Sequence, residues 1–268
     1  MLRYIVLLAL SVYGLNAGAQ SAETEYNLGL GKFRNKDYNV AMAHFNVAIK
    51  LDSTFVETYG IRAETKKNLS DYKGAMADYT HALAISKSAN NYFNRGHLKY
   101  LLKDYNGAIT DFTEATKLDP DNEMIIYTRG FIYSLLKNNN AVLADMNRAI
   151  TLNKDYKEAY YLRANCKREM GDKIGAIADY SSLIDLDPNS ENAYFNRGML
   201  FGQNKNYEQA VKDFKRVTTI NPKNAKAYYN SGMAYLQLKQ QTVACDQFKL
   251  ALSNGFKDAQ PLVTKYCK

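Results

Sequence analysis

Asn91-Tyr92-Phe93-Asn94-Arg95-Gly96 returns, one insertion apart, as Asn192-Ala193-Tyr194-Phe195-Asn196-Arg197-Gly198. A second echo joins Ala108-Ile109-Thr110-Asp111-Phe112 to Ala176-Ile177-Ala178-Asp179-Tyr180. Framed on these strings, the chain divides into units 22–55, 56–88, 89–122, 123–156, 157–190, 191–224 and 225–258. All have 34 residues except the second, which is one shorter around Ser86-Lys87-Ser88. A period sustained over seven units marks a repeat architecture, in which each unit buries its apolar side only against its neighbours.

Each unit reads as two short helices. In the first, apolar and aromatic residues recur at helical spacing, as in Tyr194, Phe195, Gly198, Met199 and Phe201. A turn with a capping residue follows, at Asp37, Asp71, Asp104, Asn138, Asp172 and Asn206. Asp and Asn oxygens accept from the free N–H groups of a first helical turn. The second helix carries a small residue, an aromatic four later and another small residue three after that, as in Ala108, Phe112 and Ala115. It stops at strings such as Leu118-Asp119-Pro120 and Leu186-Asp187-Pro188, because proline cannot continue a helix.

Two small slots recur where the helices must cross. The first-helix slot is Gly29, Ala63, Gly96, Gly130, Ala164, Gly198 and Gly232. The second-helix slot is Ala41, Ala75, Ala108, Val142, Ala176, Ala210 and Ala244. With these residues the chain resembles the tetratricopeptide repeat family over residues 22–258. Unit four departs most, with Val142 and Met146 in the small and aromatic slots and Asn138-Asn139-Asn140 at the turn. The resemblance implies an all-α fold, an α–α superhelix of seven hairpins whose first helices line a concave face. Residues 259–268 read as one more helix covering the last unit, with Pro261 in its first turn.

Composition agrees. Of 268 residues 46% are hydrophobic and 23% charged, which is too apolar for a disordered chain. Fifteen Gly and four Pro are few for a turn-rich β fold, and three His and three Cys leave little for a metal site. His44, His81 and His97 fall in different units, and no H-E-x-x-H, C-x-x-C, phosphate loop or G-x-S-x-G occurs. Catalysis needs an irregular cluster of groups, which a repeat does not build. No catalytic residue, metal ligand or cofactor is expected.

At the start, Met1 to Arg3 precede an apolar run from Tyr4 to Leu15, then Ala17-Gly18-Ala19. This is the layout of a secretory signal peptide over residues 1–19, cleaved after Ala19 to leave a chain of net charge +7. The run is short of the roughly 20 residues that span a bilayer. An uncleaved anchor is the alternative. The mature chain is expected to be periplasmic or secreted, with no integral membrane segment.

Arg62, Arg95, Arg129, Arg163 and Arg197 stand just before the first-helix small slot of units two to six. Asp78, Asp111, Asp145, Asp179 and Asp213 stand in the second helices of the same five units, and units one and seven lack both. Joint presence and absence predicts a partly buried ion pair within each hairpin. A ladder in which each Asp also reaches the next unit's Arg is the variant, and an anion-binding row of arginines the functional alternative. Cys245 and Cys267 are candidates for a disulfide stapling the end of an exported chain, while Cys166 reads as a buried free thiol. That all three are simply small core residues stands as the alternative.

Along the face that the resemblance makes concave, Glu23, Glu57, Glu64, Glu158 and Glu169 oppose Arg34, Lys67, Arg168 and Lys226. A groove without positive surplus does not suit nucleic acid. Its recurring feature is apolar: Tyr26, Phe93, Tyr127, Tyr161, Phe195 and Tyr229 share one slot, joined by Tyr100, Phe131 and Met199. Such a strip marks a protein or peptide contact. The competing reading has the rings half-covered and cementing the stack. The expected function is an exported scaffold or adaptor holding a protein or peptide. The alternative is a structural subunit fixed in a cell-envelope complex.

Overall fold

A computed structural model of the chain describes residues 21–267. The expected leader and its cleavage point, within residues 1–20, lie outside the described residues. The helices run α1 (Ala22–Arg34), α2 (Tyr38–Leu51), α3 (Val56–Asn68), α4 (Tyr72–Ile85), α5 (Ala89–Leu101), α6 (Tyr105–Leu118), α7 (Glu123–Leu135) and α8 (Asn139–Leu152). They continue as α9 (Lys157–Glu169), α10 (Lys173–Leu186), α11 (Glu191–Gln203), α12 (Tyr207–Ile220), α13 (Ala225–Gln237), α14 (Gln241–Ser253) and α15 (Gln260–Tyr266), the last entered through a short 3-10 turn at Lys257–Ala259. No strand occurs among the described residues.

The helix ends follow from local chemistry. Asp71, Asp104, Asn138, Asp172 and Asn206 each accept a bond from the backbone N–H three residues on. Asp37 sits at the same place without a side-chain cap bond. Unit four's asparagine run leaves α8 at 14 residues like α6 and α10, because Asn138 caps it as Asp caps the others. One residue earlier, Lys36, Ser70, Lys103, Lys137, Lys205 and Lys239 take a left-handed conformation, and Gly171 does so at φ 85°. That twist lets the amide of Asp37 donate back to the Lys32 carbonyl at 2.9 Å, closing the first helix as the second begins.

Two compact units are formed, one up to Leu98 and one from Lys99 onward. In the first, α1 packs antiparallel on α2 and α3 on α4, and α2 rests against α3. In the second, the hairpins α7–α8, α9–α10, α11–α12 and α13–α14 follow in order, each second helix resting on the next first helix. Their cores are local. Ile126, Val142, Met146 and Ala159 make one cluster; Ala164, Ala176, Tyr180 and Leu200 another; Ala210, Phe214, Val217 and Ala227 a third. The last hairpin closes on Ala244, Phe248, Ala251 and Ala259, against which Leu262, Val263 and Tyr266 of the end helix pack. That helix covers the apolar side of the seventh hairpin.

Candidate functional site: rungs and groove

Four ion-paired rungs are described. Arg62, Arg129, Arg163 and Arg197 each present Nε and Nη2 to the two oxygens of Asp78, Asp145, Asp179 and Asp213, at 2.6–2.9 Å. The carboxylates are buried and the arginines largely so. This two-pronged geometry suits a planar guanidinium and is unavailable to lysine. In three of the four the remaining Nη1 reaches back to the preceding hairpin: Arg62 to Asn46 at 2.8 Å, Arg163 to Asn147 at 2.7 Å and Arg197 to the Ser181 hydroxyl at 2.9 Å. In these three rungs the link between hairpins therefore runs through a neutral residue rather than through a second Asp.

Lysines complete some rungs. Lys66 and Lys167 bring Nζ to Asp78 and Asp179 at 2.7 and 2.9 Å, and Lys99 meets the buried Asp111 at 2.8 Å. In unit six the equivalent place is Phe201, whose ring lies under Arg197. Burial there pushes the Asp213 carboxyl above the ordinary carboxylate range, against the pull of Arg197. The hydrogen bond to Asp145 holds Arg129 charged despite burial. Arg95 lies over the Tyr92 ring, and Asp111 belongs to the other compact unit. In unit one the rung is replaced by His44 Nδ1 against the buried Glu25 at 2.7 Å. With Nε and Nη2 committed to buried carboxylates, Arg62, Arg129, Arg163 and Arg197 do not form an open anion-binding row.

All nine groove candidates, Tyr26, Phe93, Tyr100, Tyr127, Phe131, Tyr161, Phe195, Met199 and Tyr229, are half-buried. They do not form a freely exposed strip. Tyr161, Phe195 and Tyr229 lean on Tyr180, Phe214 and Phe248 of their own hairpins at 5.8–6.2 Å. Tyr26, Tyr127 and Tyr229 also pack on Phe55, Tyr156 and Phe256 at about 5 Å. Those three partners sit just before a following helix, outside the period-based slots, and were not singled out in the sequence. Tyr100 meets Phe131 edge-on at 6.0 Å. Part of each of these rings is thus covered by packing within the stack, and part stays accessible.

The open space lies beside the rings. Between α11 and α13 is a pocket of about 340 Å³, lined by Met199, Gly202, Gln203, Asn230, Met233 and Gln237, with Tyr207 and Phe214 behind. None of its lining residues is charged. A Cβ added to Gly202 would meet nothing within 4 Å. Near Tyr127 and Tyr161 a second, more polar pocket of about 250 Å³ includes Lys157, Glu158 and Asp187. In the first compact unit, Tyr26, Glu57, Gly60, Glu64 and Asn94 border a pocket of about 490 Å³. There Glu64 accepts from Tyr79 at 3.0 Å and pairs with Lys67 at 2.7 Å.

Family profiles described as tetratricopeptide repeat match residues 89–122, 158–190, 191–224 and 225–254. The chain belongs to the tetratricopeptide repeat family. Tetratricopeptide repeat protein 36 of Danio rerio is 38% identical over 58 residues, which is 22% of this chain and 31% of that protein. The chain thus matches under a third of that curated relative's length. Among solved structures, the C-terminal part of a TPR repeat-containing protein from Cytophaga hutchinsonii is similar at a TM-score of 0.78, with 15% identity over 88% of this chain and 98% of that one. A tetratricopeptide repeat protein from Parabacteroides merdae gives 0.62 at 19% identity, covering 92% and 99%. YrrB, described as a TPR protein with an unusual peptide-binding site, gives 0.60 at 22%, covering 73% and 97%. At these identities the solved structures establish the fold, an all-α solenoid of tetratricopeptide repeats.

The final tetratricopeptide repeat is covalently closed. Cys245 on α14 and Cys267 beyond α15 are bonded, with Cα atoms 5.2 Å apart. Gln241 adds a hydrogen bond to the Tyr266 carbonyl at 3.1 Å. Cys166 is free and buried; its Sγ donates to the Asn139 carbonyl, and burial, then Glu169, pushes the thiol up. A raised thiol is a poor nucleophile. Among the described residues no group of three His, Cys, Asp or Glu is placed to hold a metal ion, and no helix is long and apolar enough to cross a membrane.

Proposed function

We propose that the chain is an exported, non-catalytic scaffold that holds a protein or peptide segment along the face formed by its first helices. The observation that carries this reading is the uncharged pocket between α11 and α13, with Met199 and Met233 on its walls and Gly202 leaving its mouth open. Thioether side chains adapt to varied apolar shapes, and the Gln203, Asn230 and Gln237 amides offer donors and acceptors to a peptide backbone. The description of YrrB as peptide-binding supports the same class of ligand. What supports export is the leader-like start and the Cys245–Cys267 bond, which persists where the surroundings are oxidising.

A displayed random-peptide library panned against the wild type and Gly202→Trp tests the reading. The introduced indole starts in the open space beside Gly202, clear of the core, and plugs the pocket. Peptides enriched on the wild type and lost on the variant are the expected result. No enrichment, or peptides that bind both chains equally, would remove this pocket as the binding site. Size-exclusion chromatography of the secreted chain then separates the scaffold, monodisperse alone, from a subunit that exists only within a complex.

A further inference from the structure

Charge is unevenly spread along the chain. Residues 21–204 carry 23 Lys and Arg against 23 Asp and Glu, whereas residues 205–268 carry 11 against 4. The last quarter therefore holds a net +7 and the rest of the described chain is neutral. Of its four acids, Asp213 is buried under Arg197, which leaves Glu208, Asp246 and Asp258 at the surface.

The lysines fall in register. Lys205 and Lys239 occupy the same turn of units six and seven, Lys215 and Lys249 the same outward position on α12 and α14, and Lys223 and Lys257 the same following turn. Lys212 on α12 adds to the set, and all seven are exposed. Among the described residues none of them is in an ion pair. None lines the uncharged pocket between α11 and α13, so this charge does not serve that pocket. On α14 the same outer side exposes two large apolar residues, Val243 at 38% and Leu250 at 41%, the latter beside Lys249.

We infer that the outer face of α12 and α14, with its flanking turns, is a peripheral docking surface for an anionic lipid bilayer. Flexible lysines are point charges that meet phosphates without demanding a fixed geometry, as a fluid headgroup layer requires. Val243 and Leu250 fit the apolar boundary below that layer. A nucleic-acid backbone offers nothing to those two residues, and the face shows no row of aromatic rings on which bases could stack. A second copy of the chain would set lysines against lysines. The inference is independent of the peptide reading of the groove.

Vesicle co-sedimentation of the full mature chain tests it. The probes are neutral phosphatidylcholine vesicles and vesicles in which a third of the lipid is phosphatidylglycerol. Sedimentation with the anionic vesicles alone is expected in about 0.1 M NaCl and its loss in about 1 M, as the screening length falls from about 10 to about 3 Å. The variant Lys212→Glu, Lys215→Glu, Lys249→Glu should bind about tenfold more weakly or worse, with a circular-dichroism melt showing it folded. Should it fail to fold, Lys223→Gln with Lys257→Gln in the exposed turns makes the same comparison. Gly202→Trp should sediment like the wild type. Equal binding to neutral vesicles, no binding to either, an unaffected charge variant, or tighter binding to a DNA duplex than to anionic vesicles at the same salt would overturn the inference.

Discussion

Arg163 and Asp179, sixteen residues apart, face each other across one hairpin through two parallel hydrogen bonds, Nε to Oδ2 at 2.9 Å and Nη2 to Oδ1 at 2.7 Å. The third arm of the same guanidinium holds Asn147 of the hairpin before. One side chain thus ties three helices, α8, α9 and α10. The same plan recurs at Arg62 and Arg197.

Removing one partner of such a rung leaves a buried charge. Arg129→Ala strands Asp145, which is 5% exposed. A loss of about 3–5 kcal/mol is expected, read as a clear fall in melting temperature by circular dichroism. An unchanged melt would mean that the pair contributes nothing to the fold.

The small slot of the first helix is matched to the ring it meets. Gly29, Gly198 and Gly232 face Phe45, Phe214 and Phe248, and a Cβ on Gly232 would lie 2.6 Å from the Phe248 ring. Where the slot is Ala63 or Ala164, the facing residue is Tyr79 or Tyr180, whose hydroxyl bonds Glu64 at 3.0 Å or Asn165 at 2.7 Å. Those bonds anchor the ring beside the residue that follows the alanine. Gly232→Ala is therefore expected to destabilise, since about 1–3 kcal/mol of overpacking against a buried ring exceeds the roughly 1 kcal/mol gained in helix propensity. A chemical denaturation curve shifted to higher midpoint would refute it.

His97 carries the pH prediction. Burial and the nearby Lys67 charge lower its pKa from 6.5, with Glu64 opposing in part. An imidazole depressed in the folded state takes up its proton later than it would in the unfolded chain. Its contribution to stability is present above pH 6.5 and is lost as the pH falls through the lowered value. Titration of the His97 ring followed by NMR should give a midpoint below 6.5. A midpoint above it would reverse the sign.

Reduction should loosen the end of the chain selectively. The Cys245–Cys267 bond closes a loop of 22 residues, worth about 3 kcal/mol in chain entropy. Hydrogen exchange in residues 256–267 should speed up on reduction or in Cys267→Ser, while α7 to α10 stay unchanged. Uniform acceleration throughout the second compact unit would show that the staple holds more than the last repeat.

What could be read without coordinates was whatever depends on short separations. The period, the hairpin and the all-α class follow from apolar spacing, capping residues and proline stops, each acting within a few residues. An Arg and an Asp on two helices of one hairpin are local in the same sense, because a short turn dictates which faces meet. Tertiary structure decided what depends on how one hairpin leans on the next. Only there do the third arms of Arg62, Arg163 and Arg197 find Asn46, Asn147 and Ser181, and only there do Phe55, Tyr156 and Phe256 pack against Tyr26, Tyr127 and Tyr229. The openness of the Met199–Gly202–Met233 pocket belongs to the same level, since it is the space left between two helices after their rings have been used to join them. A one-dimensional pattern names the side chains on a face but not the distance between faces, and that distance determines which of them remain open to a partner.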